Sequence, residues 1–389
     1  MKLVFFAHPL FLGHQSMPRF AHMLMEGMRE RGHSAELWRP RARLITLPAP
    51  QALRKWLGYL DQYLLFPLQV RKRLAACPAD TLFVFTDNAL GPWVPLVNHR
   101  PHTIHCHDFM AQQSALGEMP ENPTGWMGKL YQALIRRGYR QGRHFISVSN
   151  KTKTDLHRFL TTEPTRSEVV YNGLNQAFAP QDSATARTVL SAALGLPLAA
   201  GFLLHVGGNQ WYKNRAGVIE LYEAWRLLGG QALPLLLVGE PPSPELVTKR
   251  AQARYLQDIH FLSGIADETV RLAYAGASVF LFPSLAEGFG WPIAEAMAAG
   301  CPVITTNEAP MTEVAQQAGF LVPRRPVAPA DATQWAIAAA QVVEEVVNLP
   351  PAARNKVVAA GLANAEQFNP KQALDRIEAL YQEILTPHF

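Results

Sequence analysis

Short apolar runs alternate with helix-patterned segments along this chain, and the series starts again after a polar stretch near its middle. Residues 2–7 read as a buried strand that leads into a loop around Gly13. A helix is predicted from Ser16 to Pro18 onward, with Phe20, Leu24 and Met28 at four-residue spacing and Gly32 in a C-cap position. Strands are predicted from residue 35 to 38 and over 81–85, 102–106, 145–148 and 169–171. Residues 175–185 read as a linker. Strands then resume at 201–206, 234–238, 260–262, 279–282, 303–305 and 319–322, with helices such as 215–228 and 267–275 between them. A β-α-β alternation of this kind belongs to the α/β class, with parallel sheets covered by helices on both faces. At 389 residues the chain exceeds a typical single core. It therefore predicts two doubly wound, Rossmann-like domains, 1–178 and 179–370, with a helix in 371–389 returning to the first. Open parallel sheets bind ligands at the carboxyl ends of their strands, so a central cleft between the two is expected.

Composition narrows the function classes. Apolar residues make up 48% and charged residues 17%, a globular balance. Cys77, Cys106 and Cys301 are widely spaced and form no C-x-x-C, which argues against a disulfide framework or zinc ribbon and for a reducing compartment. His8, Pro9 and His14 interrupt the first apolar run, which favours a strand over a signal peptide. No run approaches the roughly 20 residues of a spanning helix, so a cytoplasmic protein is expected.

Charge is uneven. Residues 1–180 hold 22 Lys and Arg against 12 Asp and Glu, a balance of +10; residues 181–389 hold 14 against 19, a balance of −5. The first half should meet something anionic, or present a solvated basic face. No nucleic-acid recognition motif is present. A membrane surface or a phosphorylated acceptor fits better. Residues 51–73 place Trp56, Tyr59, Leu60, Tyr63, Leu64 and Phe66 between Arg54-Lys55 and Arg71-Lys72-Arg73. Such an amphipathic segment suits a lipid interface, or packing on the domain core.

The densest chemistry lies at Pro283-Ser-Leu-Ala-Glu287-Gly288-Phe289-Gly290-Trp291-Pro292-Ile293-Ala-Glu295-Ala-Met297. Pro292 suits a first helical position, so Glu287 falls in a glycine-rich loop and Glu295 in the first helical turn. Amides from Gly290 to Ile293 would be the open donors of a helix N-terminus, an anion site. Carboxylates repel phosphate but accept hydroxyls, so a ligand with phosphate in the middle and polyol at both ends fits. A nucleotide-sugar has that form; two solvated glutamates at a helix start are the plain alternative.

The segment from Glu287 to Ala298, with Gly300-Cys-Pro-Val-Ile304 behind it, resembles the Glu-x7-Glu signature of the family-4 retaining glycosyltransferases. That resemblance implies the GT-B architecture and a nucleoside-diphosphate sugar donor, GDP- or UDP-linked, with no cofactor and no metal. It implies that Glu287 contacts the donor sugar and Glu295 the ribose. Lys213, in Gly207-Gly208-Asn209-Gln-Trp-Tyr-Lys213-Asn214, resembles the family's phosphate lysine, with Gly208 and Asn209 beside it. The arginine many members carry in this loop is missing. Arg215 follows but is expected to point along its helix, and Asn214 is expected to cap that helix.

His260 to Ile265 resembles a segment whose backbone lies against the base, which nominates Ile265. His107-Asp108 resembles the family's His-Asp step near the reacting carbon, although His102, His105 and His107 on one strand also raise a metal site or a buried structural histidine. Gly13 stands beside His14 and Gln15 where a double glycine is usual, and Asn175 replaces an aspartate; the resemblance implies that residues 1–178 bind the acceptor, with Gly13 and Asp108 on that side, and that residues 179–370 bind the nucleotide-sugar donor. The function implied is hexosyl transfer from a nucleotide-sugar to a saccharide or lipid-linked acceptor in cell-surface glycan synthesis, by a cytoplasmic protein peripheral on the inner membrane face. A GT-B epimerase or hydrolase, or a silent nucleotide-sugar-binding subunit, is the alternative.

Overall fold

Twelve strands, all parallel to their neighbours, form two six-stranded sheets in a computed structural model that describes residues 1–13, 16–174 and 178–386. The first sheet contains β1 (Lys2–Phe6), β2 (Ser34–Trp38), β3 (Leu82–Phe85), β4 (His102–Cys106), β5 (His144–Ser147) and β6 (Arg166–Val169), in the order β2-β1-β3-β4-β5-β6. The second contains β7 (Leu203–Val206), β8 (Leu235–Gly239), β9 (Ile259–Ser263), β10 (Val279–Phe282), β11 (Val303–Thr306) and β12 (Phe320–Val322), in the order β12-β11-β10-β7-β8-β9. Near-continuous apolar strands such as Leu-Phe-Val-Phe in β3 are what a sheet buried on both faces requires.

The chain divides into two compact units, residues 1–171 with the segment from 371, and residues 172–370. In the first unit Phe6 stacks on Phe85 at 4.6 Å, and Phe66 meets Trp93 edge-on at 4.7 Å. The last helix, Pro370–Leu385, belongs to this unit. Its Glu378 accepts from His33 at 2.7 Å and pairs with Arg31 at 3.2 Å, while the Tyr381 hydroxyl meets His105 Nε2 at 2.7 Å. In the second unit Leu235, Leu237, Ile219, Tyr222 and Trp225 lie at 0% exposure in one core.

Three expectations need correction. The sixth strand runs Arg166–Val169, not 169–171, because it is a half-buried edge strand paired only with β5 and lacks the apolar run that marks the others. The linker is shorter than 175–185: a helix covers Ser183–Leu194, and the Asp182 carboxylate caps it by accepting the Thr185 N–H at 2.8 Å. Residues 51–73 form two helices, Gln51–Leu60 and Phe66–Leu74, joined through a π-turn at Asp61–Leu65. Tyr63 and Phe66 pack inward, but Leu53, Trp56, Leu60, Leu64 and Leu68 remain exposed, so core packing accounts for only part of this stripe.

Candidate active site

In the second sheet the strand order reverses between β7 and β10. Loops leaving two such neighbours turn to opposite faces and open a crevice at the carboxyl ends. Lys213 follows β7 and Glu287 follows β10, and their side chains meet with Nζ 2.7 Å from Oε1. Both are largely shielded, at 14% and 8% side-chain exposure. The ammonium lies 5.0 Å from the centre of the Phe282 ring and 5.3 Å from that of Tyr212. The Leu285 N–H donates to the Tyr212 carbonyl at 2.7 Å and ties the two loops together.

Glu295 lies on the helix Trp291–Ala298, which begins after Gly290 at φ 106°. A side chain at 290 would be strained in that left-handed backbone and would press on Ile293. Pro292 is the second helical residue rather than the first, and the Ile293 N–H already donates to the Gly290 carbonyl at 3.0 Å. The helix start therefore has fewer open amides than its sequence suggests. The Tyr274 hydroxyl donates to Glu295 Oε2 at 2.8 Å. Burial pushes the Glu295 carboxyl up to about 6, although the Tyr274 hydrogen bond and the Lys213 charge oppose the rise.

Phe289 is buried and meets Phe368 edge-on at 5.5 Å, and Trp291 Nε1 donates to the Gly173 carbonyl at 3.1 Å. These two rings brace the loop. Gly288 and Ile265 are partly exposed in the loops after β10 and β9.

The loop after β7 departs from expectation in two side chains. Asn214 adopts φ 52° and donates its amide to the Pro283 carbonyl at 2.8 Å, so it does not cap the helix Arg215–Leu227 through its side chain. Arg215 is buried and folds back under the loop instead of along the helix. Its Nη1 donates to Asn209 Oδ1 at 2.6 Å and to the Glu240 carbonyl at 3.1 Å. Asn209 is further fixed by its Nδ2 on the Pro241 carbonyl, at 2.7 Å, and its N–H on Glu240 Oε2, at 2.9 Å. Gly208 precedes it, where a side chain would first meet the flexible end of Gln210. Helix position alone could not reveal this turn, which depends on where β8 delivers Glu240.

In the first unit His107 is buried; its Nε2–H donates to the Thr86 carbonyl at 2.9 Å and its N–H to Asn88 Oδ1 at 3.1 Å. Burial lowers its basicity, partly offset by the charge of Asp87. His105 is bonded to Tyr381, and burial pushes it down to about 3. His102 Nδ1 meets the Arg100 carbonyl and its Nε2 accepts the Arg143 N–H. The three imidazoles are thus committed separately, and among the described residues no three His, Cys, Asp or Glu are grouped as a metal would need. Asp108 Oδ1 accepts the Met110 N–H at 3.1 Å, and Gly13 closes the turn Leu10–Leu12. His14, Gln15 and Asn175 lie outside the described residues.

A pair the motifs did not single out occupies the reversal point of the first sheet. His8 follows β1 and Asp87 follows β3, and Nε2 lies 2.8 Å from Oδ2. Each residue stands two positions past the end of its strand, a shared register that could have drawn attention to them. They line a cavity of about 350 Å³. A larger cavity, about 610 Å³, lies in the second unit between the helices Arg215–Leu227 and Pro329–Val347 and touches neither Glu287 nor Glu295.

Comparison with known proteins agrees with this architecture. Residues 17–178 match the model of Glycosyltransferase Family 4, and residues 201–345 that of Glycosyl transferases group 1. The chain belongs to the family-4 glycosyltransferases and has the GT-B fold. It is 27% identical over 227 residues to O-antigen chain mannosyltransferase B of Escherichia coli, covering 58% of this chain and 56% of the relative. It is 31% identical over 308 residues to a D-inositol 3-phosphate glycosyltransferase of Nocardioides, covering 72% and 61%. The match therefore spans a little over half the length of these two relatives. Among solved structures, Anabaena Alr3699/HepE in complex with UDP-glucose superposes with a TM-score of 0.68 at 16% identity, over 98% of this chain and all of that one.

Proposed function

We propose that this chain transfers a hexosyl group from a GDP- or UDP-linked sugar to a hydroxyl of a saccharide or lipid-linked acceptor, with anomeric configuration retained. The observation that carries the reading is the Lys213–Glu287 pair at the β7/β10 reversal, with Glu295 on the adjoining helix. In the transfer the bond from the anomeric carbon to the diphosphate breaks and a bond to the acceptor oxygen forms on the same face. The acceptor proton passes to the leaving phosphate. Lys213 neutralises that phosphate, Glu287 exchanges its ammonium partner for a sugar hydroxyl, and Glu295 accepts from the ribose. Charge neutralisation falls to Lys213 and the helix start rather than to a metal. His107 keeps the sugar-directed role that the family resemblance implies. A relative named as an O-antigen mannosyltransferase and a fold neighbour solved with UDP-glucose support this donor class and a place in glycan synthesis.

The same reading takes the basic first unit to an anionic membrane surface, at the inner face. Among the described residues no helix is long and apolar enough to cross a membrane. The exposed stripe of the helices Gln51–Leu60 and Phe66–Leu74 is flanked by Arg54, Lys55, Arg71, Lys72 and Arg73, a composition suited to lying at a lipid interface.

Mass spectrometry after incubation with a panel of GDP- and UDP-sugars and a mixed acceptor pool tests the reaction. Transfer yields a glycosylated acceptor. A hydrolase yields free sugar, an epimerase an isomeric nucleotide-sugar, and a silent binding subunit returns the donor intact. Any of the last three outcomes overturns the reading.

A further inference from the structure

We infer that Tyr274 is a positioning residue for the nucleotide: its hydroxyl holds one carboxylate oxygen of Glu295, so that the other is presented to the ribose already ordered. The inference rests on the donor reading above, in which Glu295 accepts from the ribose, and adds the residue that orients it.

The two side chains come from different elements. Glu295 stands on the helix Trp291–Ala298, and Tyr274 lies near the end of the helix Asp267–Gly276. The Tyr274 hydroxyl is 2.8 Å from Glu295 Oε2. Burial, and then the Glu295 charge beside it, push this phenol well above its ordinary range, so it stays protonated. It is therefore the donor and the carboxylate the acceptor. The two oxygens of Glu295 thus differ. Oε2 is tethered, whereas Oε1 has no protein partner among the described residues, and Glu295 is only half-buried.

The tether is itself rigid. Tyr274 is fully buried, and its ring meets Phe280 edge-on at 5.2 Å and Phe178 edge-on at 5.6 Å. Phe280 belongs to β10, the strand whose outgoing loop carries Glu287. The phenol is thus braced on the strand that delivers the other carboxylate. A phenylalanine would fill the same apolar place, and a buried hydroxyl without a partner is unfavourable. The hydroxyl therefore serves its one hydrogen bond, to Glu295. A glutamate left to itself on a half-exposed helix samples several rotamers, and a ligand must then impose the order. Here the folded protein has already imposed it, which is how preorganisation raises affinity.

The same contact acts on the charge state that the ribose needs. Burial raises the Glu295 carboxyl most; the Tyr274 hydrogen bond and then the Lys213 charge lower it, and Asp267, at the start of the Tyr274 helix, raises it. A hydrogen bond donated to a carboxylate favours the ionised form, the one that accepts from ribose hydroxyls. Without the hydroxyl, Lys213 alone would oppose burial and Asp267, and the carboxyl should titrate higher.

Calorimetry with GDP, UDP and their dideoxy analogues, which lack both ribose hydroxyls, tests the inference. Tyr274→Phe keeps the ring and its packing and removes only the hydroxyl. At about pH 8 the wild type should prefer the ribonucleotide, and Tyr274→Phe should lose about threefold to tenfold of ribonucleotide affinity while binding the dideoxy form within about twofold of wild type. In Glu295→Ala the preference should vanish, and adding Tyr274→Phe should change nothing further, because the hydroxyl acts only through the carboxylate. The pH below which ribonucleotide affinity falls, about 6 in the wild type, should stand about one pH unit higher in Tyr274→Phe. Three results overturn the inference and leave the donor reading in place. They are an undiminished or greater ribonucleotide preference in Tyr274→Phe, an equal loss for the dideoxy form, and a further loss in the double variant. A wild type that binds both forms equally, or neither, strikes the assignment of Glu295 to the ribose, and the inference falls with it.

Discussion

At the scale of single residues, the three charged groups of the second unit should fail in different ways. Lys213→Ala removes a charge whose value grows as the leaving phosphate forms, so turnover should fall two to three orders of magnitude, about 2.7–4 kcal/mol, with a smaller loss of donor affinity. Glu287→Ala should leave nucleoside-diphosphate binding nearly intact and cripple use of the whole nucleotide-sugar. Glu295→Ala should weaken both ligands. Calorimetry with diphosphate and with nucleotide-sugar separates them; identical losses in Glu287→Ala and Glu295→Ala would refute the division of labour. Glu287, Glu295 and Lys213 were legible because each sits in a short stretch whose neighbours (Gly288, Gly290, Pro292, Gly207) also have a structural reason to be there. His8 and Asp87 were not, because they are 79 residues apart and only the pairing of β1 with β3 brings them together. Arg215 was misread because its partner Glu240 belongs to the loop after β8.

Glu295 also sets a pH dependence. Its carboxyl titrates at about 6 in the folded protein against an ordinary value of 4.5. The folded state therefore holds more protons than the unfolded one between these values, and this group's contribution to stability declines as pH rises through that window. The loss should be on the order of 1 kcal/mol after allowance for partial exposure. Ribose hydroxyls bind the ionised form, so nucleotide affinity should fall as pH drops below about 6, by up to tenfold per unit. Glu295→Gln should flatten both dependences. Titrations at about pH 5 and about pH 7.5 check this; an unchanged slope in the variant would remove Glu295 from the ribose.

At the scale of elements, strands buried on both faces announced themselves by unbroken apolar runs, and β4 and β10 fall at their expected bounds. The edge strand β6 did not, because Arg166, Ser167 and Glu168 carry no such signal. The helix pair Gln51–Leu60 and Phe66–Leu74 was readable as amphipathic, but not what fixes it. That is Asp61, which is buried and accepts the N–H groups of Arg43, Leu44 and Ile45 at 3.1, 2.9 and 3.0 Å. Asp61→Ala would remove the acceptor of three amides at once and should lower unfolding free energy by about 1–3 kcal/mol, since these amides belong to exposed or half-buried residues that water can partly serve. Asp182→Ala, at an exposed helix cap, should cost less. Urea unfolding of both variants compares them, and equal losses would mean the 43–45 loop does not depend on Asp61.

At the scale of the whole molecule, a sequence can show that strands and helices alternate twice but not the spatial order of the strands. That order decides which loops stand together, so both reversal points and the pairs they hold became visible only in the fold. The charge imbalance was legible from the start, whereas its apolar counterpart was only half legible. The exposed face of Trp126–Tyr139 looks like any amphipathic helix until its outward side proves to be the apolar one. Combining the two gives the last prediction. The protein should bind vesicles containing anionic lipid more tightly than neutral ones, and the difference should shrink as salt rises, because such attraction is screened within about 8 Å at physiological ionic strength. Replacing Arg71, Lys72 and Arg73 together by Ser should remove most of the salt-dependent part, at about 1 kcal/mol for each charge that reaches the surface. Trp126→Ser with Leu130→Ser should lower affinity for both vesicle types and leave the salt dependence in place, because apolar insertion is not screened. Neither set touches Lys213, Glu287 or Glu295, so diphosphate binding serves as the control for folding. Equal binding of neutral and anionic vesicles by the wild type would dismiss the electrostatic contribution. Unchanged affinity in the Trp126 and Leu130 variant would detach that helix from the lipid.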